Sequence, residues 1–221
     1  TKVLLRLNRE GIDLHIHVVC DRGFRTACNA YERAKEQAAA VNEPWKIYME
    51  LAHCELVHPD DMVRPAKLGI IINWSTHWAG GYFGEAAIEY LGKERWNTMY
   101  DMTKFIETGA VVTYSSDVIG MNEEHRGNPY FGMEISATRV DLEDPGSVRQ
   151  PESAKLSVEE MIRGYTRYGA IPLRLEDKLG TIEKGKMANL VVLDKDILTI
   201  PKTDIHTIKP EAVMFDGKFI R

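Results

Sequence analysis

An α/β fold with parallel strands is predicted by three features. Short β-branched apolar runs alternate with helical stretches, the connections between them are short, and the third and fourth runs are apolar almost throughout. Strand–helix–strand units of this kind form right-handed parallel crossovers. Strands buried on both faces read as continuous apolar runs.

Residues 1–10 (TKVLLRLNRE) read as a helix stopped by Gly11, since glycine tolerates the left-handed terminus. Residues 12–19 (IDLHIHVV) are β-branched and alternating, a strand. Asp21 is expected to cap a helix over residues 22–40, rich in Ala, Glu, Lys and Arg. A second strand over 47–51 leads to His53. A helix then starts near His58-Pro59-Asp60-Asp61, where proline and acids suit a first turn, and ends at Gly69. A third strand covers 70–73, and a loop of aromatics and glycines covers 74–84. Helix returns over 95–107, and the fourth strand, 110–114 (AVVTY), ends at Ser115-Ser116-Asp117. This is half a barrel's worth of units or a small open sheet, and periodicity does not choose between them.

Residues 121–151, rich in Gly, Asn, Pro and charge, read as a long irregular excursion. Ser157 and Glu160 are spaced as a capping box for a helix reaching Tyr168. From Gly180 the pattern is strand-like, over 189–193, 212–215 and 218–220, and Asp216-Gly217 signals a hairpin. The expected organisation is an α/β part over 1–178 with a small β element over 179–221.

Composition narrows the function classes. A 44% hydrophobic, 28% charged chain is an ordinary globular protein. A net charge of −5 without a Lys/Arg run argues against nucleic-acid binding. No apolar run approaches the roughly 20 residues that span a bilayer. Three cysteines without paired zinc spacing suggest a reduced, cytoplasmic chain.

His17, His53 and Asp117 each fall where a strand gives way to a loop. In an α/β barrel the active site lies at that end of the strands. Imidazole and carboxylate suit a divalent metal such as zinc, which brings the pKa of bound water to about 7 and supplies hydroxide for hydrolysis. Each also has a structural reading: the histidines as hydrogen-bonded strand ends, Asp117 as a cap.

Five blocks carry a resemblance. His15-Ile16-His17-Val18-Val19-Cys20-Asp21 resembles the fifth-strand H-A-x-G-D motif of the amidohydrolase superfamily, in its amidohydrolase-3 (YtcJ-like) group. The run from Ala52-His53-Cys54-Glu55 to His58-Pro59-Asp60-Asp61 is similar to that group's sixth-strand E-H-A-x-L-V-H-P-E-D. Ser115-Ser116-Asp117 resembles its eighth-strand G-S-D, and Asn128-Pro129-Tyr130-Phe131-Gly132 with Ala137-Thr138-Arg139 its next block. Residues 179–194 resemble its C-terminal G-S-I-E-P-G-K-x-A-D-L-V-V-L-D. Together they span essentially the whole chain, in order.

The resemblance implies the C-terminal half of a (β/α)8 TIM barrel, strands five to eight, with the tail forming part of a small β-sandwich. It implies hydrolysis of an amide-like C–N bond by metal-activated water, on a small-molecule substrate. His17 and His53 would be metal ligands. Asp117 would bind metal and carry the proton of the attacking water. His77, in Ser75-Thr76-His77-Trp78, would contact substrate, His15 would support the site or lie buried, and His58 would be structural. Trp74, Trp78, Tyr82 and Phe83 suit either an apolar substrate pocket or packing over a half-barrel edge.

Cys20 stands where the group has glycine, and Ala52 where it often has glutamate. The first-strand His-x-His pair and the middle-strand bridging ligand have no counterpart, so the expectation is a fragment, inactive alone, with weak or absent divalent metal. The alternative is a non-catalytic regulatory or binding protein on the same scaffold, like the exoenzyme regulators of the AepA type. Open half-barrel edges imply homo-oligomers.

Overall fold

A computed structural model describes residues 1–80, 87–118, 120–146, 148–149 and 151–221. The chain divides into two compact units, one of residues 1–74 and 98–112, the other of 75–97 and 113–221. A four-stranded sheet has the order β1 (Leu14–Val18), β2 (Met49–His53), β3 (Ile71–Ser75), β4 (Val112–Ser115). β1 pairs parallel with β2, and β2 parallel with β3. The expected α/β class with a parallel sheet is thus found.

In the first unit, α1 (Lys2–Glu10) ends at Gly11, which takes the left-handed conformation at φ 69°. Asn8, on that helix, is buried and ties down the chain entering β2. Its amide donates to the Pro44 carbonyl and its oxygen accepts from the Lys46 N–H at 2.7 Å. α2 (Asp21–Ala40) buries Phe24, Cys28, Tyr31, Ala34 and Ala38, one stripe at helical spacing. Phe24 meets Phe105 of α5 (Thr103–Glu107) at 5.7 Å between ring centroids, and Met49, Leu51 and Ile72 complete the core. Burying each such side chain contributes about 1.5–3 kcal/mol.

Several local expectations are corrected. Asp21 is the first residue of α2, not its cap: Cys20 holds the extended cap position, and the Asp21 carboxylate accepts from the Arg22 N–H. β2 lies two residues later than read, so His53 ends the strand, and the helix expected to close at Gly69 is a 3₁₀ turn (Pro59–Asp61) followed by the short α3 (Arg64–Leu68). The helix expected over 95–107 is broken into α4 (Ile88–Trp96) and α5. Between them Tyr100 stands at φ 60°, its N–H donating to the Glu55 carbonyl and its hydroxyl to the Glu55 carboxylate. That anchor holds the chain out of helix.

In the second unit, residues 121–138 are helical where an irregular excursion was expected, while the described residues from there to 149 form turns and an isolated Val140–Val148 bridge. A 3₁₀ segment (Met121–Gly127) leads into α6 (Pro129–Thr138), capped by the Asn128 side chain with Pro129 in its first turn. Gly132 to Ala137 are all buried, so α6 lacks a polar face and its helical period was invisible in the sequence. It packs against the 3₁₀ turn Thr76–Gly80 and a second one at Lys202–Thr207. α7 (Val158–Arg163), capped by Ser157 as expected, continues as a π turn over Gly164–Tyr168.

The tail forms a three-stranded antiparallel sheet of β5 (Leu190–Leu193), β6 (Pro210–Phe215) and β7 (Lys218–Phe219). Asp216 and Gly217 both have positive φ, 47° and 76°, as a type I′ hairpin turn requires. The strand texture expected from Gly180 begins only at Leu190.

Candidate functional site

Strand period puts His15 and His17 on one face of β1. Both are exposed. His15 Nδ1 lies 2.6 Å from Glu50 Oε2, its neighbour in register on β2, so this histidine is not buried but paired with a carboxylate at the strand surface. His17 faces Ala52 in register, one step from His53, and the His17 and His53 rings meet edge-on at 4.5 Å between centroids.

His53 is 7% exposed and closes β2 with φ 73°, and Cys54 follows at φ 48°. Left-handed backbone costs a non-glycine residue roughly 1–2 kcal/mol. Here the Cys54 N–H donates to Val18 and the Leu56 N–H to Val19, so β1 fixes the turn that follows the histidine. Such strain clusters at functional positions.

Two side-by-side imidazoles from neighbouring strands are a donor pair suited to zinc. Among the described residues no group of three or more His, Cys, Asp or Glu side chains is arranged to hold a metal ion. The pair fits two positions of a coordination shell, and further ligands are needed to close it.

Asp117, in the second unit, is exposed just beyond β4 and also has positive φ, 51°. The carbonyl before it, on Ser116, accepts a 2.7 Å hydrogen bond from His77 Nε2. His77 is 1% exposed within the Thr76–Gly80 turn, and its Nδ1 lies 3.4 Å from Arg126 Nη1. Burial lowers its pKa from the ordinary 6.5; the Ser116 bond opposes this and the Arg126 charge adds to it. Both ring nitrogens of the residue expected to touch substrate are therefore engaged by protein.

Arg126 is itself buried. It reaches both Asp141 oxygens at 3.0 Å, bonds Glu143, and stacks 5.3 Å from the Phe131 ring centroid. Burial works against its cation, but the Asp141 and Glu143 bonds outweigh that and its pKa is raised. A buried cation of this kind persists only when paired. Sequence reasoning missed Arg126 and Asp141 because both sit in the segment read as irregular.

Trp74 and Trp78 are buried, at 0% and 8% exposure, while Tyr82 and Phe83 lie outside the described residues. A polar cleft of about 290 Å³ opens at the first turns of α2, lined by Asp21, Arg22, Arg25, Thr26, Asn29 and His58. It contains none of the four expected site residues. His58 there caps the following 3₁₀ turn by accepting from the Asp60 N–H, a structural role.

Comparison with known proteins gives a consistent picture. The amidohydrolase family profile matches residues 1–221. An N-substituted formamide deformylase of Arthrobacter pascens is 26% identical over 215 residues, covering 96% of this chain and 37% of that protein. A metal-dependent hydrolase of Pyrococcus furiosus shares the fold with a TM-score of 0.69 at 23% identity, over 90% of this chain and 36% of that one. Atrazine chlorohydrolase TrzN of Arthrobacter aurescens TC1, solved with zinc, does so with a TM-score of 0.59 at 17% identity, over 97% of this chain and 45% of that one. The chain thus spans between a third and a half of these relatives' lengths.

Proposed function

This chain belongs to the amidohydrolase family, and from that premise we propose that it carries part of the metal site of a hydrolase acting on a carbon–nitrogen bond in an amide-like substrate. The observation that carries the reading is the His17–His53 imidazole pair at the ends of adjacent parallel strands, 4.5 Å apart. His17 and His53 hold the metal, most simply zinc, the ion present in the TrzN structure. A divalent metal supplies Lewis acidity and activates water at neutral pH. By its resemblance to the family's eighth-strand motif, Asp117 would supply a carboxylate to it. Its carboxylate accepts the proton of the attacking water and delivers it to the leaving nitrogen. Residues 179–221 contribute to a β-sandwich, and the ligands not found among these residues come from further polypeptide. N-substituted formamides, the substrates named for the Arthrobacter pascens relative, are the first compounds to try.

Metal analysis of the purified protein tests this. With the polypeptide that supplies the remaining ligands present, about one zinc per chain is expected, lost in His17→Ala and in His53→Ala, with formamide hydrolysis lost alongside. Unchanged metal content in both variants would sink the proposal. Metal uptake with no turnover of any amide would favour the binding-protein alternative.

A further inference from the structure

The φ angle of Asp117 is a rotation measured against the Ser116–Asp117 peptide plane, and the carbonyl of that plane is the one His77 grips. A carbonyl only accepts, so His77 Nε2 must carry the proton. A neutral ring then has a lone pair on Nδ1, and Arg126 Nη1, which only donates, lies on that side. The arrangement is a one-way chain from Arg126 through His77 to Ser116, fastened at its far end by Asp141 and Glu143.

The turn that bears His77 is tied to its surroundings. The Thr76 carbonyl accepts from Ser136 of α6 at 2.9 Å, and the Thr76 hydroxyl meets the Tyr165 hydroxyl at 2.7 Å. Gly80, at the end of the same turn, lies so close to Asp141 that a Cβ there would come within 2.7 Å of its backbone. The turn bearing His77 and the carboxylate holding Arg126 are therefore pressed together.

We propose that His77 is a positioning residue, locked as the Nε2–H tautomer by Arg126, which sets the Ser116–Asp117 peptide plane and through it the aim of the Asp117 carboxylate. This rests on the role given to Asp117 above. It replaces substrate contact as the function of His77.

The first test is a long-range ¹H–¹⁵N spectrum of protein containing ¹⁵N-histidine at pH 7, with His77 assigned by its absence in His77→Gln. A proton on Nε2 alone is expected, and an Nδ1–H or doubly protonated ring overturns the proposal. The second is zinc affinity by chelator competition. His77→Asn, whose amide falls short of Ser116, should lose about tenfold, as expected for residues that orient ligands. His77→Gln, whose amide nitrogen takes the place of Nε2, should recover most of it. Equal affinity in the two variants overturns the proposal. If His77→Asn fails to fold, the spectrum of the unaltered protein still decides. Asp117→Asn distinguishes the two levels of failure. Unchanged zinc affinity there removes the role of Asp117 and the inference with it. Weakened affinity there, with His77→Asn unaffected, overturns the inference alone.

Discussion

The thiols and imidazoles of this chain are sorted by burial. Cys28 is buried and its thiol is pushed up to about 12, chiefly by burial, and Cys54 is raised well above its ordinary value for the same reason. Cys20 is exposed at the cap of α2. A thiol reagent at pH 8 should therefore modify one cysteine in the folded protein and three after denaturation, since the thiolate is the reactive species. Rapid native modification of all three would contradict the burial of Cys28 and Cys54. For His77 the linkage has a definite sign. Its folded pKa is lowered, so the unfolded state binds more protons. The associated stability is whole above about pH 6.5 and falls as the pH drops towards the lowered value. His77→Gln keeps a donor but does not titrate, so its melting temperature should decline less over that acid range than that of the unaltered protein.

Helices and turns were legible where local chemistry decides them. The Gly11 stop, the Ser157 cap and the Asp216-Gly217 hairpin all came from residues with one strong backbone preference. His53 and Asp117 were legible as strand ends, but their positive φ was not, because the Val18 bond to Cys54 and the His77 bond to Ser116 are made by distant parts of the chain. α6 was hidden for the opposite reason: buried on every side, it has no amphipathic period to read. Its packing makes a ranking prediction. A Cβ on Gly132 would overlap the Thr76 hydroxyl, so Gly132→Ala should cost about 1–3 kcal/mol. Ser157→Ala removes only a cap and should cost about 1 kcal/mol. Urea denaturation measures both, and a Gly132→Ala variant as stable as the parent would mean that α6 does not press on the Thr76 turn.

For the molecule as a whole, β1 ends the sheet order, with β2 on one side of it. Unpaired strand edges recruit further strands. The tail sheet also presents Val191, Val192, Phe215 and Phe219 at half exposure or more. Apolar surface of that kind marks interaction sites. Self-association is the expected outcome, read as a particle mass above one chain by light scattering at high concentration. A strictly monomeric particle there would mean that these surfaces are covered in some other way. Family membership was legible only through the five sequence blocks, since strand periodicity alone does not distinguish a barrel segment from an open sheet.

The Glu134 carboxylate, 3% exposed on α6, accepts from both the backbone N–H and the Nδ1 of His206 in the 3₁₀ turn at Lys202–Thr207. Cutting the gene after codon 178 would delete that turn and with it both hydrogen bonds that His206 makes to the Glu134 carboxyl. A shortened protein of that design should come out of expression as inclusion bodies, and replacing Glu134 by Leu in the shortened form is the substitution most suited to bringing it back into solution.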